Sequence, residues 1–369
     1  MYLDKKEKQF SIEGVPQETL PTLSEGYFDD RTDPRWAHPE LTAIYEVEHA
    51  CDQSAKVSAP EITEEERLQR KAEWLKPTLE RSFPKKHDVV RTEYTVKGLN
   101  EKDPDITVYV TKKRDSQKEI SPVLFGIGQG AMMFNPYKGL APSMELIAME
   151  HDVTLVFAEA RTAVEAPFPA ALDDYQAVYQ WMLDNAKELK IDSDNVVLLG
   201  ESGGGYTSLC FAFRCKRVGF KPRGCMAREP ITDDSMSFPS SRIVQGGWDA
   251  ADNHRIFQIL FGKNNAYSPF LTPEHVPNHA TVEDCKGLCP IFIHAMELDA
   301  DRDASMDFAR KLYEAKVYTQ IHVWGGAGHG AFFLPPKGES KIHDAYKAIC
   351  FAELHDMFTY DLRRLWLND

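Results

Sequence analysis

The chain has 369 residues, 43% of them hydrophobic, enough to bury one large α/β core or two modest ones. Its formal net charge is −14 and no basic run exceeds Lys112-Lys113-Arg114, so nucleic acid is not an expected partner. No apolar run approaches the roughly 20 residues of a membrane span.

The opening Met1–Lys8 stretch lacks an apolar signal core. The seven cysteines are an odd number, mostly inside apolar elements, and read as reduced thiols. A cytoplasmic protein is the expectation. Cys285 and Cys289 have no second close pair, so a zinc site is not expected.

Residues 1–60 are polar, with short aromatic patches such as Tyr27-Phe28 and Trp36. Residues 60–79 read as a helix: Thr63 and Glu66 form a capping box, and Leu68, Ala72 and Leu75 share a face. From Asp88 the pattern turns to strands. Residues 89–97 and 106–112 alternate, joined by a hairpin-like connection, and 122–127 is a continuous apolar run suited to a doubly covered strand. A helix (143–150), a strand (153–158), a long helix (169–189), a strand ending at Leu199 and a helix over 206–214 follow. After a short strand (224–228) the stretch 229–289 is irregular and too long for an ordinary loop. It is expected to form an insertion over the site. A strand (290–296), a helix (304–315), a strand (318–324) and a last helix (341–365) close the chain. Strands alternating with helices imply a mostly parallel sheet with an antiparallel start.

Between the apolar strand Asn195–Leu199 and the next helix stands Gly200-Glu201-Ser202-Gly203-Gly204. Strand, Gly-x-Ser-x-Gly, helix is the context of a nucleophile elbow, in which the serine takes a strained backbone and small neighbours avoid collision. A phosphate-binding turn is the alternative, but no P-loop Lys follows and the spacing is not Gly-x-Gly-x-x-Gly. A serine nucleophile needs a base and an acid that orients it. His329 lies in the Gly-rich loop Gly325–Gly330 directly after the last strand and is the expected base. Asp299, Asp301 and Asp303 follow the preceding strand. Asp299 is nearest the strand end and favoured as the acid, with Asp301 as the runner-up and one of the three expected to cap the next helix. Developing charge on a carbonyl oxygen needs donors. The Gly203 N–H is one candidate, and the glycine-rich Gly126–Met133 loop offers others.

By these features, over roughly residues 85–335, the chain resembles the hormone-sensitive-lipase-like branch of α/β-hydrolase esterases. Arg161–Asp174, with Phe168-Pro169-Ala170-Ala171, is similar to that family's segment between strand and helix. Asp192-Ser193-Asp194, Ala266-Tyr267-Ser268-Pro269, the Glu297–Asp303 block and Gly328-His329-Gly330 before Phe332 also match. The resemblance implies an α/β-hydrolase fold with a mostly parallel eight-stranded sheet, helices on both faces and an N-terminal helical cap. It divides the chain into a cap region (1–85) and a catalytic domain (86–369), with 229–289 adding to cap and pocket. It assigns the acid to Asp299 and the oxyanion donors to Gly130, Ala131 and Gly203. Here Gly128-Gln129-Gly130-Ala131 replaces the family's His-Gly-Gly-Gly, and Trp36, Trp74 and Phe83 are candidates to line the lid.

The implied activity is hydrolysis of small to medium acyl esters by a Ser-His-Asp triad, with no metal or organic cofactor. Lactonase, amidase and acyltransferase use the same machinery and remain alternatives. A small-molecule receptor is the rival outside enzymes; the plant gibberellin receptors resemble this family but lost the histidine that His329 supplies here. The resemblance also implies pairing of two copies through the last strand and final helix, with a monomer as the alternative.

Overall fold

A computed structural model of the chain describes residues 29–31, 34–42, 73, 88–135, 137–244, 248, 250–262, 268, 270–333 and 338–364. The expected helix over 60–79 lies outside these apart from Glu73. So do Trp74, Phe83, the residue 85–86 boundary and Ala266, Tyr267 and Pro269.

Eight strands form the sheet: β1 (Val89–Val96), β2 (Ile106–Lys113), β3 (Ser121–Ile127), β4 (Thr154–Ala158), β5 (Ile191–Glu201), β6 (Gly224–Arg228), β7 (Ile291–Met296) and β8 (Thr319–Trp324). Their order is β8-β7-β6-β5-β3-β4-β2-β1. The ladders β1–β2 and β2–β4 are antiparallel and the others parallel. The principal helices are α1 (Tyr137–His151), α2 (Ala170–Asp184), α3 (Gly203–Val218), α4 (Ala250–Phe261), α5 (Arg302–Glu314) and α6 (Lys341–Thr359).

Central strands are apolar on both faces because helices cover both. Phe125, Val196 and Leu198 pack with Tyr175 of α2, Phe211 of α3 and Phe308 of α5. Their neighbours Leu124, Val197 and Leu199 point the other way, toward Met144 of α1 and Leu354 of α6. One period-2 alternation thus feeds two separate cores. β1, at the sheet edge, is exposed along most of its length, which is why its alternation is the weakest of the set.

Several element bounds differ from expectation. α3 begins at Gly203, three residues before its first helix-forming side chain, because the glycines of the elbow carry no helical signal of their own. The long helix breaks at Asn185; a short second turn ends at Lys190, which adopts the left-handed conformation. The irregular stretch contains α4, which lies between segments rich in turn residues.

The N-terminal segment is tied to the domain. Asp29–Asp30 pairs in parallel with Ile243–Val244. The His38 N–H donates to Gly326 O at 2.8 Å, and Glu40 accepts from Ser340 Oγ and the Ile342 N–H. Among the described residues six cysteines are free and buried, and no helix is long and apolar enough to cross a membrane.

Candidate active site

The C-terminal ends of β5, β6, β7 and β8 meet at one point, and each delivers a polar side chain to it. β5 ends at the elbow. Ser202 has φ 55° and ψ −122°, a region costly for a residue with a Cβ. The turn is this tight because its glycines allow it: a Cβ on Gly200 would stand 2.0 Å from Gly204 O, and one on Gly204 2.2 Å from Ile127 O. The Ser202 N–H donates to Arg228 O at 2.8 Å, fixing the turn to β6.

Ser202 Oγ lies 2.8 Å from His329 Nε2, and His329 Nδ1 lies 2.7 Å from Asp299 Oδ2. When Nδ1 carries the hydrogen it donates to Asp299, which leaves Nε2 of the neutral ring to accept from the Ser202 hydroxyl. The acid is itself oriented, since the Asp301 N–H donates to Asp299 Oδ1 at 3.1 Å. The loops after β7 and β8 are tied together: Leu298 N–H donates to Ala327 O, and Gly326 N–H to Glu297 Oε2. All three side chains are buried. Burial opposes protonation of His329, but the carboxylates of Asp299, Glu229 and Asp301 outweigh it and push the imidazole pKa up.

The other acids of the loop have different neighbours. Asp301 occupies the N-cap position of α5 without a side-chain cap; its carboxylate accepts from Asn253 Nδ2 at 2.9 Å on both oxygens. Burial, followed by the charge of Asp299, drives its pKa well upward. Asp303 bonds the Ser240 N–H and Arg302. Asp299, Asp301 and His329 bring ligand-capable atoms within 4.8 Å of one another. Each of the three is hydrogen-bonded within the protein.

The loop after β3 runs against the start of α3: a Cβ on Gly203 would lie 2.2 Å from Gln129 O and 2.7 Å from Met132 N. Ala131 and Met132 both have positive φ, 47° and 53°. Of the three expected oxyanion donors, Gly130 is already engaged: its N–H donates to Phe134 O at 2.9 Å and to Gly128 O at 3.0 Å. This corrects the expectation for Gly130, whose N–H closes a tight turn instead. The N–H groups of Ala131 and Gly203 have no acceptor among the described residues. Gln129 anchors the loop, donating through Nε2 to Arg161 O at 3.2 Å, and Asn135 Nδ2 bonds the carbonyls of Ala158 and Ala160.

Two features escaped the sequence reading. Glu229 sits directly after β6, fully buried, with Oε2 accepting the Gly330 N–H at 2.5 Å and lying 4.0 Å from His329 Nδ1. The signal was an acid at a strand's C-terminal end. Trp248 stacks over the His329 ring at 6.2 Å, and its Nε1 donates to Asn253 Oδ1 at 2.7 Å. No local sequence pattern announces that contact. A small pocket of about 20 Å³ opens one helical turn from Ser202, lined by Gln129, Met132, Phe168, Leu172, Tyr206 and Leu260 among others.

A family model described as alpha/beta hydrolase fold matches residues 130–333, more than half of the chain. Lipase 2 of Moraxella sp. (strain TA144) is 27% identical over 206 residues, covering 48% of this chain and 46% of that protein. The hormone-sensitive lipase of Mus musculus is 28% identical over 116 residues, 31% of this chain and 15% of that one. The chain spans about half the length of the first curated relatives it matches. Among solved structures, a bacterial heroin esterase superposes with a TM-score of 0.75 at 20% identity, covering 88% of this chain and 99% of that one. The chain belongs to the α/β-hydrolase fold family, in its hormone-sensitive-lipase-like branch.

Proposed function

We propose that the chain is a serine carboxylic-ester hydrolase that acts on small to medium acyl esters through an acyl-enzyme. The observation that carries this reading is the unbroken relay Asp299–His329–Ser202, spaced 2.7 and 2.8 Å, on a serine held at positive φ. His329 Nε2 takes the hydroxyl proton as Ser202 Oγ attacks the ester carbonyl carbon, while Asp299 holds Nδ1–H and stabilises the imidazolium. The charge that develops on the carbonyl oxygen falls to the N–H groups of Gly203 and Ala131. Collapse expels the alcohol, which takes its proton from His329 and leaves the acyl group on Ser202. Water then gives a proton to His329 and attacks the acyl carbonyl. A second collapse frees the acid and returns the proton to Ser202. No cofactor enters this sequence.

The acyl part of that reading is supported by the mostly apolar lining of the pocket along α3, with Phe168, Leu172 and Leu260 on its walls. A cap built from the N-terminal region belongs to it too, supported by the contacts of His38 and Glu40 with the loop after β8 and the start of α6. Pairing of two copies is supported by β8 being a terminal strand of the sheet. A cytoplasmic location is supported by six buried free thiols.

Replacing Ser202 by Ala is expected to lower kcat/KM for p-nitrophenyl acetate by several orders of magnitude while leaving the thermal midpoint nearly unchanged. Wild-type turnover in that variant would remove Ser202 as the nucleophile. A fluorophosphonate probe separates this function from a pure receptor: the hydrolase is labelled at Ser202, and a receptor is not.

A further inference from the structure

The charge around His329 is more than one acid requires. Asp299 reaches Nδ1 from the loop after β7. A second carboxylate, Glu229, reaches the same ring from the end of β6. Glu229 is the residue immediately after Arg228, whose carbonyl holds the Ser202 N–H. It has φ 50°, a costly conformation for a side chain of this kind. Its N–H is spent on His294 O at 2.7 Å, which locks the bend to β7. One carboxylate oxygen accepts the N–H of Gly330, the residue next to His329. The other, Oε1, is buried and has no hydrogen-bond partner among the described residues. A buried carboxylate costs several kcal/mol unless it is fully paired, so this half-satisfied acid needs a reason to be there.

On the reading of the site as a Ser-His-Asp hydrolase, we propose that Glu229 is a positioning residue. It fixes the His329 loop through Gly330 and makes the imidazole more basic through its charge.

The geometry separates it from a spare acid. At 4.0 Å from Nδ1 it is too far to take the hydrogen that Asp299 accepts at 2.7 Å, yet close enough for its charge to be felt between two buried side chains. The groups facing the pair from each packed element are few. Asp299 and Asp301 come from the loop after β7. Glu201 comes from the end of β5, with Arg228 of β6 bonded to it at 3.0 Å, and Tyr346 and Cys350 come from α6. Burial pushes the Glu229 carboxyl up to about 8; His329 pulls it back and Glu201 adds to the rise. Arg228 bonds Glu201 directly and also feels the charge of Glu229, so Glu229 lies between the Arg228 and His329 cations, with His329 Nδ1 at 4.0 Å. Glu229 and His329 titrate as a pair.

The sign follows. Catalysis needs neutral His329, so kcat/KM rises with pH through its pKa. A nearby negative charge favours the imidazolium and moves that rise to higher pH. Glu229→Gln removes the charge and keeps an oxygen for the Gly330 N–H. Glu229→Leu removes both.

The test is the pH dependence of kcat/KM for p-nitrophenyl acetate in wild type and both variants, with fluorophosphonate labelling at the alkaline plateau to report an intact elbow. In Glu229→Gln the acid limb is expected about one pH unit lower, the low end of the effect of a charge at 4–6 Å, with the plateau within severalfold of wild type. In Glu229→Leu the limb moves the same way and the plateau falls at least about tenfold, because the loop has lost its anchor. An acid limb that stays in place in Glu229→Gln overturns the proposal. So does loss of labelling in Glu229→Gln at every pH, which would make Glu229 a packing residue only. The underlying reading fails differently: wild type itself would not be labelled.

Discussion

Ser202 keeps its conformation only because three small residues around it leave no alternative contact. The positive φ at Ser202 costs on the order of 1–3 kcal/mol, and the surrounding packing supplies that cost. Gly200 is the sharpest instance. A methyl group there would stand 2.0 Å from Gly204 O and 2.3 Å from Gly204 C, both backbone atoms that cannot swing aside. Gly200→Ala is therefore expected to force the strand end away from α3. The cost is about 3 kcal/mol, at the upper end for overpacking, and the Ser202–His329 hydrogen bond goes with it. Chemical denaturation measures the first effect and fluorophosphonate labelling the second. A variant with wild-type stability and labelling would show that the turn has room the geometry denies it. The same sterics explain why Ser202 could be read from residue types alone: only glycine satisfies these contacts, so the constraint is written in the sequence. Glu229 and the Gly130 N–H were not legible, because their roles depend on which atoms approach across separate loops.

At the scale of elements, the strands and the helices that cover them were largely readable, since period 2 and period 3.6 are imposed by burial on one face or two. What failed were boundaries set by conformation rather than hydrophobicity, such as the start of α3 in three glycines and the break of the long helix at Asn185. α4 was missed as an element although its stretch was expected to cover the site. Its role shows in a chain of contacts: Trp248 over His329, Trp248 to Asn253, and Asn253 to both oxygens of Asp301. Asn253 is the only side chain in that chain that donates to one neighbour and accepts from the other. Asn253→Ala leaves the buried Asp301 carboxylate without its donor. It is expected to destabilise by about 1–3 kcal/mol and to lower kcat/KM as the Trp248 contact loosens. The isosteric Asn253→Asp sets two carboxylates face to face, so its loss should deepen as pH rises. Denaturation midpoints of both variants across pH check this. A pH-independent loss identical in the two would show that the contact to Asp301 contributes only packing.

For the molecule as a whole, the buried titratable groups pull stability in opposite directions with pH. His254 of α4 is the clearest on the acid side: burial, with Arg255 adding to it, draws its pKa from 6.5 down to about 3. The native state therefore holds it neutral, while the unfolded chain titrates near the ordinary imidazole value. Between those values the unfolded state binds the extra proton, so stability falls as pH falls. The contribution is intact above about pH 6.5, fades as the pH drops below it, and is lost in full near pH 3. At pH 4.5 the accumulated cost is about 2.7 kcal/mol, from two units at about 1.36 kcal/mol each. Because α4 carries the contacts that reach Asp301 and, through Trp248, His329, acid should loosen this element before the sheet beneath it. His254→Gln removes the titration. The stability advantage of wild type over this variant is then expected to shrink by about 2–3 kcal/mol between pH 7.5 and pH 4.5, read from urea unfolding at each pH. Stability curves that stay parallel across that range would mean that His254 takes up its proton without cost in the folded chain, and that the acid sensitivity of the molecule lies elsewhere.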